Sequence, residues 1–160
     1  MSDLPYKTEL GHAHIKVRDL DRAIDFYSRF LGMQLTERVG SDYAFLTASG
    51  YHHELALQNV GLGAPTPPEP SIGLYHIAFE VPDRLSFARA YKSLVDAGVR
   101  VGTVDHLISW AIYLHDPDGN GIEIYWDTRN EPGGRVLWRG ENVPLPADKI
   151  LQALENERAG

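Results

Sequence analysis

The chain repeats itself, and the repeat limits what it can fold into more than any other feature. One segment, from Gly11, reads GHAHIKVRDLDRAIDFYSRFLGMQL; a second, from Gly73, reads GLYHIAFEVPDRLSFARAYKSLVDAGVRV. Each opens on a strand-like stretch with a His-Ile pair, His14-Ile15 and His76-Ile77. Each then sets an Asp before an amphipathic helix and a Gly where that helix should stop. Such self-similarity means one supersecondary unit used twice. In the first copy Leu20, Ala23, Ile24, Tyr27, Phe30 and Leu31 fall at helical spacings, with Asp19 or Asp21 as the cap and Gly32 as the stop. In the second, Leu85, Ala88, Tyr91, Leu94 and Val95 form the stripe, Asp83 caps it and Gly98 ends it.

Short β-rich runs follow each helix. Strands are expected at Gln34–Val39, Tyr43–Ala48 and His53–Asn59, and again at Val101–Val104, Trp110–Leu114 and Ile122–Trp126. The expected fold is α+β: two βαβββ modules, at about 10–60 and 73–127, in one domain over 1–160. A Pro- and Gly-rich linker at 61–72 joins them. The tail, 128–160, is read as cover or a dimer contact, with a short helix around Asp148–Glu157.

Side chains alternate along a strand. Ala13, Ile15 and Val17 make one face of the first strand, and His12, His14 and Lys16 the other. Tyr75, Ile77, Phe79 and Val81 oppose His76 and Ala78; Ile122, Ile124 and Trp126 oppose Glu123 and Tyr125; Trp110, Ile112 and Leu114 oppose Ser109, Ala111 and Tyr113. If the apolar faces pack on the helices, the other faces line a concavity that receives His14, His76, Glu123 and Tyr113. Two neutral imidazoles and a carboxylate on rigid sheet suit a divalent metal with open positions, as in non-haem Fe(II) sites. Taken singly, a strand histidine is more often a hydrogen-bonded structural residue and a lone Glu a solvated one. The case rests on the pattern recurring.

Composition narrows the chemistry. The chain has 160 residues, no cysteine and seven histidines. That excludes disulfides, a thiolate nucleophile, zinc fingers and iron–sulfur clusters, so any metal takes nitrogen and oxygen ligands. A net charge of −7 argues against nucleic acid or an anionic membrane as partner. No apolar run is long enough to span a bilayer. The opening Met1-Ser2-Asp3-Leu4-Pro5 lacks the regions of a signal peptide, so the expected location is cytoplasmic.

The run Val104-Asp105-His106-Leu107-Ile108-Ser109-Trp110-Ala111-Ile112-Tyr113-Leu114-His115-Asp116-Pro117-Asp118-Gly119-Asn120-Gly121-Ile122-Glu123 resembles the extradiol dioxygenase signature throughout. With the repeat, it marks a resemblance from about Leu10 to Asp127 to the vicinal oxygen chelate superfamily, and within it to small single-domain type I extradiol (catechol 2,3-) ring-cleavage dioxygenases. The resemblance implies two βαβββ modules forming a curved mixed sheet around a metal site. It implies that His14, His76 and Glu123 bind Fe(II), with Mn(II) as a substitute, and that His106 and Tyr113 sit on the substrate side. It also implies a distal acid–base histidine in Tyr51-His52-His53-Glu54-Leu55-Ala56-Leu57, with His53 the best fit. A catechol and O2 would be the substrates, both oxygen atoms would enter the ring-opened product, and the chain would be a homodimer or higher homo-oligomer.

The fourth strand resists this reading. Leu55 and Leu57 share parity with His53, so simple alternation would put His52 and Glu54 in the concavity; a bulge could reconcile the two. With Glu54 facing in, the set His14, Glu54, His76 and Glu123 resembles the glyoxalase I metal site, the alternative enzyme reading. A third reading is a metal-free aromatic-drug-binding resistance protein, since one fold hosts both functions. His12 is placed at the rim, His115 in solvent, Asp105 as either an orienter of His106 or a loop carboxylate, Trp126 and Trp138 in core or interface, and Lys16 near the strand end.

Overall fold

The computed structural model of the chain describes residues 5–159. Of the stretch read for a targeting signal, Met1 to Leu4 lie outside the described residues. The chain divides into two compact units, Met1–Pro65 and Thr66–Gly160, and the division falls inside the Pro-rich linker.

The first unit runs β1 (Ala13–Val17), α1 (Leu20–Leu31), β2 (Gln34–Val39), β3 (Tyr43–Thr47) and β4 (Leu55–Asn59). Its sheet has the order β1-β4-β3-β2, with β1 parallel to β4 and the other pairs antiparallel. Helix α1 starts where the Asp19 carboxylate accepts the Arg22 N–H at 2.9 Å, and ends at Gly32, whose φ of 65° is left-handed. Leu20, Ala23, Phe26 and Tyr27 are buried under it. Phe26 belongs to that face although the expected stripe omitted it, and Ile24, Phe30 and Leu31 are only half-buried. Each large ring so buried contributes about 1.5–3 kcal/mol.

The second unit runs β5 (Ile77–Glu80), α2 (Arg84–Asp96), β6 (Gly102–Asp105), β7 (Ser109–His115), β8 (Gly121–Asp127), β9 (Val143–Pro144) and α3 (Ala147–Ala159). Its sheet has the order β5-β8-β7-β6-β9, with β5 parallel to β8. Asp83 caps α2 by accepting the Ser86 N–H at 2.7 Å. Phe87, Ala88 and Leu94 of α2 are buried, as are Ile112, Leu114, Ile122 and Ile124 of β7 and β8, and the Phe87 ring lies 5.9 Å from that of Trp110. The alternation of β7 and β8 holds as expected. Their hairpin is closed by Asp116, whose carboxylate accepts the N–H groups of Asp118 and Asn120 at 2.9 and 2.8 Å.

Three expectations change. The strand expected at His53–Asn59 begins at Leu55, without a bulge; the bulge in this sheet lies between Leu35 and Glu37. The apolar face around His76 stops short, because β5 begins at Ile77 and Tyr75, ahead of the ladder, is 86% exposed. Beyond its helix the tail adds a strand, β9, which pairs with β6 through Val104–Pro144 and Asp105–Val143. Among the described residues no helix is long and apolar enough to cross a membrane.

Candidate active site

In the second unit the sheet register builds one polar row. Glu123 on β8 lies opposite Ala78 on β5 and Tyr113 on β7, and Tyr113 lies opposite Gly102 on β6. Ala78 and Gly102 leave space on either side of the two functional side chains. His76 stands just before β5, and its Nε2 is 2.9 Å from Glu123 Oε2. The Tyr113 hydroxyl is 3.0 Å from Glu123 Oε1 and 2.8 Å from His106 Nε2. His106 Nδ1 lies 2.5 Å from Asn142 Oδ1. Four of the expected site residues of this unit therefore form one continuous chain: His76, Glu123, Tyr113, His106. Burial first, and then the Glu123 carboxylate, pushes the Tyr113 hydroxyl well above the ordinary phenol range, so it keeps its proton.

The His106 loop has its own supports. Asp105 Oδ1 accepts the Leu107 N–H at 2.8 Å, and Oδ2 accepts from Trp110 Nε1 and Lys149 Nζ, each at 3.1 Å. Asp105 thus fixes the loop backbone rather than the His106 ring, and Leu107 is held at a φ of 66°. The partner of His106 Nδ1, Asn142, comes from the tail, and that of Nε2, Tyr113, from β7.

In the first unit, His14, Ala56, Phe45 and Glu37 form one cross-strand row. Beside it the His53 ring lies 4.6 Å from His12, 4.9 Å from Phe45 and 5.1 Å from His52. His52 Nδ1 is 2.8 Å from His53 Nδ1, and His52 Nε2 is 3.0 Å from Glu37 Oε2. Burial first, and then the charges of His12, His52 and His14, holds the His53 imidazole below its ordinary range, so its neutral, proton-accepting form is favoured. Glu54 does not point into this cluster. Its carboxylate is engaged by the Thr47 hydroxyl at 2.9 Å, the Ala48 N–H at 2.8 Å and the Ser49 hydroxyl, where it closes the β3–β4 connection. Glu54, the fourth donor of the glyoxalase-like alternative, thus has its partners at the β3–β4 connection.

The His76–Glu123 pair has the chemistry of part of a metal site. A neutral imidazole and a carboxylate are the right donors, and the 2.9 Å between His76 Nε2 and Glu123 Oε2 is near the spacing of about 3 Å between adjacent ligands in metal–nitrogen and metal–oxygen sites. His76 Nδ1 is buried with no hydrogen-bond partner among the described residues, and the ring is flanked by those of Tyr75 and Tyr113 at 5.2 and 5.6 Å. The pair fits as part of a site. Among the described residues no group of three or more His, Asp or Glu side chains forms a metal cage.

A family model described as the Glyoxalase/Bleomycin resistance protein/Dioxygenase superfamily matches residues 9–124. The chain belongs to this superfamily. It is 37% identical over 164 residues to the catechol-2,3-dioxygenase of Bacillus subtilis (strain 168), covering 99% of this chain and 56% of that one. It is 27% identical over 154 residues to biphenyl-2,3-diol 1,2-dioxygenase 2 of Rhodococcus globerulus, covering 89% of this chain and 78% of that one. The chain thus spans little more than half the length of the Bacillus relative. Among solved structures, a glyoxylase/bleomycin resistance protein/dioxygenase domain from Frankia sp. EAN1pec superposes with a TM-score of 0.66 at 22% identity, over 76% of this chain and 99% of that one. That likeness shows the superfamily's fold.

Superfamily membership accounts for the βαβββ repeat, and the signature run lies on β6 to β8, where it places His106, Tyr113 and Glu123. Sequence reasoning missed Asn142. Trp138, expected in core or interface, is 45% exposed, so it is not core, and its ring centroid lies 5.7 Å from that of His106, edge-on. Neither residue lies within the matched stretch, and no local pattern in the tail marks a hydrogen-bonding role.

Proposed function

We propose that the chain is an Fe(II)-dependent extradiol dioxygenase that opens a catechol-type ring next to its diol and carries both atoms of O2 into the product. The hydrogen-bonded chain His76–Glu123–Tyr113–His106 carries this reading. It sets a candidate ligand pair beside a tyrosine–histidine pair able to receive a diol. The relatives named as dioxygenases of catechol and biphenyl-2,3-diol support it.

His14, His76 and Glu123 would hold the iron(II), and Mn(II) would be a substitute. When bound, the metal would supply the positive charge that makes the diol acidic and a template for both substrates. Tyr113, which keeps its proton, would donate to a diol oxygen and orient the ring. His106 would take a diol proton at Nε2. His53, neutral and ringed by His12, His52 and Phe45, would move a second proton, with His52 and Glu37 leading toward solvent. The ring opens between a hydroxylated carbon and its neighbour, and the product is a hydroxymuconic-semialdehyde type that gains both oxygens. A cytoplasmic location and self-association, as homodimer or higher oligomer, belong to the same proposal.

The experiment is anaerobic reconstitution with Fe(II), then oxygen uptake and product absorbance across a panel of catechols. Uptake matched to a ring-opened product is expected. No turnover of any catechol, with methylglyoxal–thiol activity under Ni(II) or Zn(II), would establish the lyase instead. Aromatic binding with no iron uptake would establish the resistance-type binder.

A further inference from the structure

We propose that Asn142, held by Trp138, is a positioning residue that fixes His106 in its Nδ1–H tautomer and leaves Nε2 as the proton-accepting end of the chain to Tyr113 and Glu123. The tautomer stands on geometry alone; its consequence for turnover rests on the function proposed above.

The argument begins with a group that can only donate. Trp138 Nε1–H lies 2.8 Å from the Glu141 carbonyl and 3.0 Å from Asn142 Oδ1. An indole N–H has no acceptor capacity. Turning the Asn142 amide over would set its NH2 against that N–H, donor against donor, so the network assigns the oxygen to this side. That same oxygen is 2.5 Å from His106 Nδ1. An amide oxygen can only accept, so Nδ1 carries the proton.

Proton counting extends the result. The Tyr113 hydroxyl has one proton and two neighbours, His106 Nε2 at 2.8 Å and Glu123 Oε1 at 3.0 Å. With Nδ1 protonated and the ring neutral, Nε2 holds a lone pair and takes the Tyr113 proton. That donation competes with the one from the Tyr113 hydroxyl to Glu123 Oε1 at 3.0 Å. A doubly protonated His106 would instead leave the Tyr113 proton wholly to Glu123. Asn142 therefore bears on a carboxylate it does not touch.

The tail is built to hold this arrangement. Asn142 directly precedes β9, which is paired to β6. The turn before it passes through Arg139 and Gly140 at φ of 57° and 77°. The Arg135 N–H donates to the Leu107 carbonyl at 2.9 Å, and the Arg135 guanidinium pairs with Glu141 at 2.7 Å. One segment thus grips the backbone of the His106 loop and the ring of His106 together.

The test is two-bond 1H–15N correlation of the histidine rings in the full chain without added metal, at about pH 8, where an unperturbed imidazole is neutral. The His106 signals are assigned by their loss in His106→Gln. The wild type should show Nδ1–H at His106. Asn142→Leu should lose that tautomer, and Asn142→Asp, which keeps an acceptor, should retain it. An Nε2–H or doubly protonated His106 in the wild type overturns the proposal, as does an Nδ1–H that survives in Asn142→Leu. In the iron-loaded protein, Asn142→Leu should lower kcat about 10- to 100-fold with little change in KM, and Asn142→Asp should recover most of it. The predicted tautomers without turnover of any catechol would remove the dioxygenase reading and leave the tautomer assignment standing.

Discussion

Glu123 receives three influences at once: His76 at one oxygen, Tyr113 at the other, and a mostly buried setting with 12% side-chain exposure. A carboxylate so placed is costly unless its partners stay. Glu123→Gln keeps the shape and removes the charge. It should lower iron(II) retention at least 10-fold, read as metal content after anaerobic gel filtration. Unchanged content and activity would remove Glu123 from the ligand set. Tyr113→Phe removes only the hydroxyl between Glu123 and His106, so iron should stay bound while kcat falls about 100-fold. Equal loss of metal in both variants would mean that Tyr113 supports the ligand rather than the substrate. The sequence made these residues legible because each sits in a strand whose alternation sends it to the polar face. His52, His53 and Glu54 were not legible in the same way. They precede β4, so alternation does not apply to them, and Glu54 turns back to the residues that close β3–β4. Asn142 was invisible for a related reason: a loop amide becomes functional only through partners brought from 36 positions away.

The elements position the site through close approach as well as register. Gly121 begins β8 beside the chain at His76, and a Cβ there would lie 2.1 Å from the Tyr75 carbonyl oxygen and 3.3 Å from the His76 Cα. Both neighbours are backbone and cannot swing aside. Gly121→Ala should therefore lower stability by about 1–3 kcal/mol in urea unfolding, and should also weaken metal retention by shifting His76 from Glu123. A stable variant with full metal content would show that the β5–β8 approach does not set the pair. Helices α1 and α2 were readable because their signals are local: Asp19 and Asp83 cap them, and Gly32 and Gly98 follow at positive φ. Phe26 and Phe87 are buried yet fell outside the expected stripes, since the helical face that packs is broader than one row of spacings. Strand β9 was missed because two residues carry no period, and its pairing partner, β6, is remote in sequence.

At the scale of the whole molecule, the repeat correctly forecast two βαβββ units, and each unit carries its own mixed sheet and its own histidine cluster. The fold by itself does not select a reaction, since this superfamily includes glyoxalases, resistance proteins and dioxygenases. The proposed reaction rests on side chains: a tyrosine–histidine pair joined to the candidate ligand pair, and a Glu54 with partners at the β3–β4 connection. With no cysteine in the chain, a metal held by it would take nitrogen and oxygen donors such as the imidazoles and carboxylates of these sheets. Ring opening by O2 is read by isotopic labelling. The iron-loaded chain is given a catechol that it turns over under 18O2, and the product is weighed by mass spectrometry at early time. A ring-opened product carrying both labelled atoms is expected, one in the new carboxylate and one in the new carbonyl before exchange with water. An unopened ring, or a product with only one labelled atom at the earliest times, would contradict it.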